Sequence, residues 1–234
     1  FHGDHALLLD AHLDRLEESA RLVNMPLTLD RNRLHAALRN LLHRAGYPET
    51  KFRITVPCDE PDVIYLSLEP YQPVPVEVVA HGAHIVTMPL VRENPVAKTT
   101  DWMTTRQPAV KSMPPGVFEG VLVADDGRLL EGLSSNFYGV LDGVLRTAGK
   151  DVLAGITRHA ILTIAPAIVP VDLAALYLDD LPHLSEAMMT SSGRGVVPVT
   201  MIDGELVGTG EVGPVVSDIR RLYDEWTEHS SEPI

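Results

Sequence analysis

Apolar positions at three- and four-residue steps open the chain. Leu13, Leu16, Ala20 and Val23 recur with Asp14, Arg15, Glu17 and Glu18 between them, which predicts an amphipathic helix over 10–24. Asn24 and Pro26 end it. The same period in Leu34, Leu38, Leu41 and Leu42 predicts a second helix over 30–45, stopped by Gly46. The pattern then shortens. Stretches 51–56 and 63–68 read as strands around the turn-forming Asp59-Glu60-Pro61-Asp62. Gln72-Pro73-Val74-Pro75 is a stiff linker. Beyond it, 76–80 and 84–91 read as strands, 101–111 as a helix, and short strands follow, separated by Asp126-Gly127, Asp142-Gly143 and Asp203-Gly204. Asp-Gly between apolar runs is a hairpin signal. Helices are expected at 156–164 and 214–226. The sum is an α+β chain in two domains: a small N-terminal α/β domain over 1–71, a linker at 72–75, and a larger strand-rich domain over 76–234.

Composition narrows the function classes. The apolar share is 45 % and the charged share 22 %, as in ordinary globular chains. The net charge of −13 is spread along the sequence. A chain this acidic lacks the basic patch that nucleic acid requires, and an anionic membrane surface is disfavoured for the same reason. No apolar run reaches spanning length, because Pro166 and Pro170 interrupt the best of them. The single cysteine, Cys58, excludes an internal disulfide and any multi-cysteine zinc site, so a reducing, cytoplasmic setting is expected. The start at Phe1, without methionine, reads as an N-terminally truncated small domain.

Some motifs are decoys. Gly208-Thr209-Gly210-Glu211-Val212-Gly213 spells a dinucleotide fingerprint, but too little chain follows for the returning strand and ribose-binding acid, so a turn into a helix is the better reading. His81 and His84 find no third ligand at a recognisable spacing, and no metal site is expected. Ser134-Ser135 and Ser191-Ser192 lack the nucleophile elbow of serine hydrolases.

Four stretches remain. Lys98, one of four lysines, lies in Pro95-Val96-Ala97-Lys98-Thr99-Thr100. It reads either as a surface lysine or, if partly desolvated, as a nucleophile able to form a Schiff base. Glu131-Gly132-Leu133-Ser134-Ser135-Asn136 places a carboxylate before an apolar strand, in a simple turn or an enclosed site. In Gly155-Ile156-Thr157-Arg158 a glycine turn opens a helix, whose free N–H groups suit an anion or an ordinary cap. Thr190-Ser191-Ser192-Gly193-Arg194 ends a strand in hydroxyls and glycines.

Taken in order, these stretches resemble the class IV aminotransferases, the fold-type IV pyridoxal-phosphate enzymes that include branched-chain and D-amino acid aminotransferases, (R)-amine transaminases and aminodeoxychorismate lyase. His12-Leu13-Asp14-Arg15-Leu16 and Ile202-Asp203-Gly204 extend the resemblance over nearly the whole chain. It implies that Lys98 holds pyridoxal 5′-phosphate as a Schiff base and moves the substrate Cα proton. It implies that Glu131 bonds the pyridine nitrogen, and that Arg15, Ile156, Thr157 and Ser192 grip the phosphate, with Ser191 and Asn136 as further contacts. It implies a transaminase working between an amino acid or amine and a 2-oxo acid, as a homodimer. The alternatives are a lyase releasing pyruvate and a non-catalytic scaffold. Where D-amino acid enzymes carry Arg-x-His for the substrate carboxylate, this chain has Leu68-Glu69-Pro70-Tyr71. Arg92, just ahead of Lys98, is placed either beside the active site or in solvent.

Overall fold

The computed structural model describes residue 3 and residues 5–234. The chain divides into two units, one of residues 1–73 with 226–234 and one of residues 74–225. Residues 1, 2 and 4 of the expected small domain lie outside the described ones.

In the first unit a short strand β1 (His5–Leu7) leads into α1 (Leu9–Leu22) and α2 (Arg31–Ala45). The helices form where the period predicts, and their ends have local causes. Asn24 adopts φ 57°, a left-handed conformation that asparagine tolerates. The Asp30 side chain accepts the Arg33 N–H at the start of α2, and Gly46 closes it at φ 67°. Leu9, Leu13, Leu34 and Leu38 are buried together with Ala6, Leu29 and Ile234. On the polar side, Arg31 reaches Asp10, Asp14 and Glu17 at 2.6–3.1 Å. Strands β2 (Thr50–Thr55) and β3 (Tyr65–Pro70) pair antiparallel.

The second unit opens with a difference. Residues 76–80, expected as a strand, lie in a helix, α3 (Val76–His81). Punctuation overrides the β-branched valines: Pro75 pre-sets the entry, and Gly82, at φ 80°, gives its N–H to the Val78 carbonyl at 2.9 Å. Strand β4 (Ala83–Met88) follows. The expected helix 101–111 is two, α4 (Asp101–Thr105) and α5 (Gln107–Ser112), with Pro108 in the first turn of the second. A proline there has no N–H to continue the preceding helix.

The remaining elements are β5 (Glu119–Val123), β6 (Leu129–Gly132), β7 (Asn136–Leu141), β8 (Val144–Arg146), α6 (Ile156–Ile164), β9 (Val171–Asp172), β10 (Glu186–Ser191), β11 (Gly195–Ile202), β12 (Glu205–Leu206) and α7 (Pro214–His229). Strands β10, β11, β4, β5, β6 and β7 are neighbours in that order, and β7 pairs again with β10. The six thus close on themselves as a barrel, with no free edge among them. The pairs β11–β4 and β4–β5 are parallel; the others in the ring are antiparallel. Alternation assigns the two faces of β5: Val121 and Val123 join one apolar cluster, while Leu122 joins another with Trp102, Leu130 and Leu133. Asp142-Gly143 and Asp203-Gly204 turn β7 into β8 and β11 into β12, all four residues at positive φ.

The 208–213 glycine stretch turns into α7, whose Val215 and Val216 N–H groups are taken by the buried Glu186 carboxylate at 3.1 and 2.8 Å. The chain then returns to the first unit, where β13 (Ser231–Pro233) pairs with β1. This differs from the sequence pattern, which assigns these last residues to the second domain; nothing local in 226–234 reports a strand pairing made with the other end of the chain.

Candidate active site

Glu131 occupies β6, between β5 and β7, and its side chain is only 5 % exposed. One oxygen, Oε2, accepts the Leu153 N–H at 2.9 Å. The other, Oε1, is buried without a hydrogen bond and lies 3.7 Å from Arg92 Nη1, within ion-pair reach. Burial pushes the Glu131 carboxyl up to about 7, against the opposing pull of the Leu153 N–H, the Arg92 guanidinium and the Lys98 ammonium. Burial also lowers Arg92, and the Arg106 charge adds to that, while Glu131 opposes it. Both partners are therefore shifted toward neutrality. Desolvation outweighs a pairing stretched to 3.7 Å.

The turn that gives Glu131 its N–H also organises the next two stretches. The Asn136 side-chain amide donates to the Leu153 carbonyl at 2.9 Å, and a Cβ at Gly155 would collide with the Asn136 side-chain oxygen, Oδ1. Glycine is what lets the entry to α6 come this close. Gly155 is the N-cap of α6 and supplies no side-chain cap, so the N–H groups at Ile156 and Thr157 begin the helix without one. The Thr157 hydroxyl lies 3.4 Å from the Ser192 hydroxyl. Ser191 ends β10, one residue beyond the Thr190–Asn136 pair in the register with β7. Glu131, Asn136, Ile156, Thr157, Ser191 and Ser192, far apart in sequence, are thus assembled around one end of β7 and the mouth of α6.

Lys98 stands in the irregular segment 89–100, between β4 and α4, and it is exposed. The segment is held from beneath. Arg92, 7 % exposed, donates through Nη2 to the Ala97 carbonyl at 2.5 Å and lies over the Trp102 ring at 5.7 Å. Of the two placements left open for Arg92, the structure selects the one beside Glu131. Trp102 Nε1 and Arg106 Nη1 both donate to the Leu133 carbonyl, at 2.9 and 2.6 Å, which ties α4 to the turn after Glu131. These two anchors were missed in the sequence; an indole on α4 and a guanidinium four residues on, just past that helix, are the only hint it offers. Arg15 belongs to the first unit, on α1, with its guanidinium 3.3 Å from His12 Nδ1.

The donor set fits pyridoxal phosphate. A buried carboxylate oxygen lacking a hydrogen bond matches a cationic ring N–H, and a helix mouth flanked by hydroxyls matches a phosphate. Among the described residues, no group of three or more His, Cys, Asp or Glu side chains is arranged to hold a metal. No helix among them is long and apolar enough to cross a membrane.

A closed six-stranded barrel with a buried glutamate and a hydroxyl-flanked helix mouth has a donor set that suits pyridoxal phosphate, and comparison with known proteins gives the family. Residues 1–202 match the family described as Amino-transferase class IV. The chain belongs to it. A branched-chain-amino-acid aminotransferase of Pseudomonas aeruginosa is 24 % identical over 252 residues, covering 98 % of this chain and 81 % of its own length. A D-alanine aminotransferase of Staphylococcus haemolyticus is 35 % identical over 104 residues, 43 % of this chain and 37 % of its own. The crystal structure of the Escherichia coli branched-chain amino acid aminotransferase superposes with a TM-score of 0.82 at 22 % identity, covering 97 % of this chain and 82 % of that one. The fold is the two-domain α+β fold of these enzymes, and the protein is a pyridoxal-phosphate-dependent aminotransferase that moves an amino group between an amino compound and a 2-oxo acid.

Proposed function

We propose that Lys98 is the residue that bonds the cofactor's aldehyde carbon and moves the substrate proton, and that Glu131 holds the ring nitrogen. Bound there, pyridoxal phosphate supplies an electron sink for negative charge developing at the substrate Cα. Glu131 presents Oε1 to the ring N–H, and a cationic donor draws the carboxyl back to its ionised form, because an opposite charge offsets the burial that raised it. Lys98 Nζ would take the proton from the substrate Cα and hold it for redelivery. Its exposed position lets the amine leave the cofactor and act as a base. The α6 N–H groups, Thr157 and Ser192 receive the phosphate, with Ser191 and Asn136 beside them; the family resemblance adds the charge of Arg15.

The single observation that carries this reading is the buried Oε1 of Glu131, which makes no hydrogen bond and lies within the electrostatic reach of Lys98. The relatives are named for branched-chain amino acids and for D-alanine. Leu68-Glu69-Pro70-Tyr71 has no arginine to take a D-amino acid carboxylate, and Glu69 is itself occupied by Lys51 at 3.0 Å. We therefore place the donor among apolar amino acids of the branched-chain type. A homodimer follows from the family resemblance, and a cytoplasmic setting from the lone cysteine.

Borohydride reduction of the loaded enzyme followed by peptide mapping tests the assignment. The phosphopyridoxyl mass is expected on the peptide containing Lys98. Its appearance on Lys51, Lys111 or Lys150 instead overturns it. Product analysis tests the reaction: nitrogen should pass to a 2-oxo acid, and pyruvate released from aminodeoxychorismate without any oxo acid would mark a lyase.

A further inference from the structure

One buried charge lies outside the machinery described above. Glu119 begins β5, and its side chain is 4 % exposed. Its Oε1 accepts the Ser134 N–H at 2.5 Å and the Ser134 and Ser135 hydroxyls, each at 3.1 Å. Its Oε2 makes no hydrogen bond but lies 2.6 Å from Arg194 Nη1, as an ion pair. Arg194 in turn donates through Nε to the Ser191 hydroxyl at 3.2 Å and through Nη2 to the Ser134 hydroxyl at 2.8 Å, with its guanidinium 5.2 Å from the Phe118 ring centroid.

The topology shows what this cluster joins. Ser134 and Ser135 form the turn between β6 and β7, directly after Glu131; Ser191 and Arg194 bound the turn between β10 and β11. Ladder bonds register β7 with β10 only as far as Asn136 and Thr190. Past that point the two turns are joined through Arg194 and Glu119. A cation that is three-quarters buried between two serine turns is costly to desolvate, and here that cost is offset by two serine hydroxyls and the charge of a nearly buried carboxylate. Such a group fixes geometry.

We infer that the Glu119–Arg194 pair is a positioning clamp: it locks the Ser191–Ser192 turn to the turn after Glu131, and so sets how tightly the hydroxyls beside the α6 mouth grip the cofactor phosphate. The inference rests on the phosphate-site assignment above. Neither residue is given a contact with the cofactor. Both act through Ser191, Ser192 and Ser134.

The test compares pyridoxal phosphate with pyridoxal, which lacks the phosphate. Equilibrium dissociation constants of both are measured by absorbance for the wild-type protein, Arg194→Met and Glu119→Gln. Arg194→Met is expected to weaken pyridoxal phosphate on the order of tenfold, as loss of a group that orients a binding group typically does. Pyridoxal binding should change less than about twofold, within the spread of a neutral surface change. Glu119→Gln keeps an oxygen for the serines but loses the charge that holds Arg194, so it should show the same selective loss. Arg194→Lys, which keeps the charge but has no fork to span three partners, should fall between wild type and Arg194→Met. Equal weakening of both ligands, or none, overturns the clamp. Should Glu119→Gln fail to fold, the Arg194 variants decide alone, since that side chain is partly exposed. If the wild-type protein itself bound pyridoxal and pyridoxal phosphate equally, the phosphate-site assignment would fall instead, a result distinct from failure of the clamp.

Discussion

Glu131 and Lys98 are carried by opposite kinds of scaffold. Glu131 lies within a closed ring of strands, buried, with one oxygen fixed by a backbone N–H and a cation beside the other. Lys98 lies in an irregular segment, exposed, and is placed through the carbonyl of the residue before it. The difference matches the roles proposed for them. A group that tunes the electronics of a ring has to stay still and dry, where charge acts strongly. A group that bonds a carbon, leaves it and then ferries a proton needs room. Arg92 connects the two, since one guanidinium reaches both Glu131 and the Ala97 carbonyl.

Removing each side of this arrangement should give effects of different size and kind. Lys98→Ala should lower turnover by at least ~10⁴-fold, the upper range for a lost acid–base group. Thermal stability should stay within about 0.5 kcal/mol, as for exposed positions generally. Steady-state kinetics and a melting curve check both halves. Glu131→Gln should cost about 10²–10³-fold in kcat, comparable to losing one preorganised electrostatic partner. In contrast to Lys98→Ala, it should also alter the stability of the cofactor-free protein.

That alteration has a sign. The Glu131 carboxyl titrates near 7 in the folded chain against 4.5 ordinarily, so between those values the folded state holds the proton that the unfolded state has lost. Stability contributed by protonated Glu131 is present below about 4.5 and is lost as pH rises through 7. The loss is roughly 3 kcal/mol at most for a shift of this size. Denaturant unfolding of the cofactor-free protein from pH 5 to 8 should show the decline, and Glu131→Gln should flatten it. A decline of equal size in both proteins would assign it to other groups.

Arg92→Met should cost about 2 kcal/mol, less than the ~3–5 for breaking a tight buried pair, because the partners are already separated. It should also raise the Glu131 pKa further, by removing the charge that opposes burial, and so shift the pH at which the stability decline ends upward. An unchanged profile would break the link between strand and loop. The smallest effect belongs to the first unit, where Arg21→Ala removes an exposed pair with Glu18 and should leave the thermal unfolding curve unchanged within error.

The parts of the site that could be read in the sequence are those whose chemistry is local. A lysine after small apolar residues, a glutamate before Gly-Leu-Ser-Ser-Asn, and Gly-Ile-Thr at a helix start each carry a signal within a few residues, and their order carried the family. Both helices of the first unit and the Asp-Gly hairpins were legible for the same reason. What could not be read depended on contacts between barrel strands and the segments that connect them. That Glu131 faces Arg92, and that Glu119 meets Arg194, follows from how the 89–100 segment and the β10–β11 turn lie against the barrel strands, and no period in the sequence reports it. The valines at 76, 78 and 79 misled because strand propensity was weighed above the Pro75 and Gly82 boundaries that make α3. The exposure of Lys98, one of the two placements its neighbours in sequence left open, is decided by the fold of the 89–100 segment.

The most direct measurement is the ¹⁵N chemical shift of the ring nitrogen in enzyme loaded with ¹⁵N-labelled pyridoxal phosphate, wild type against Glu131→Gln. With Glu131 acting as its partner, the nitrogen should stay protonated in the wild type across the neutral pH range and be deprotonated in the variant. The same shift in both proteins would contradict the role given to Glu131, and with it the division between a fixed strand and a mobile proton carrier.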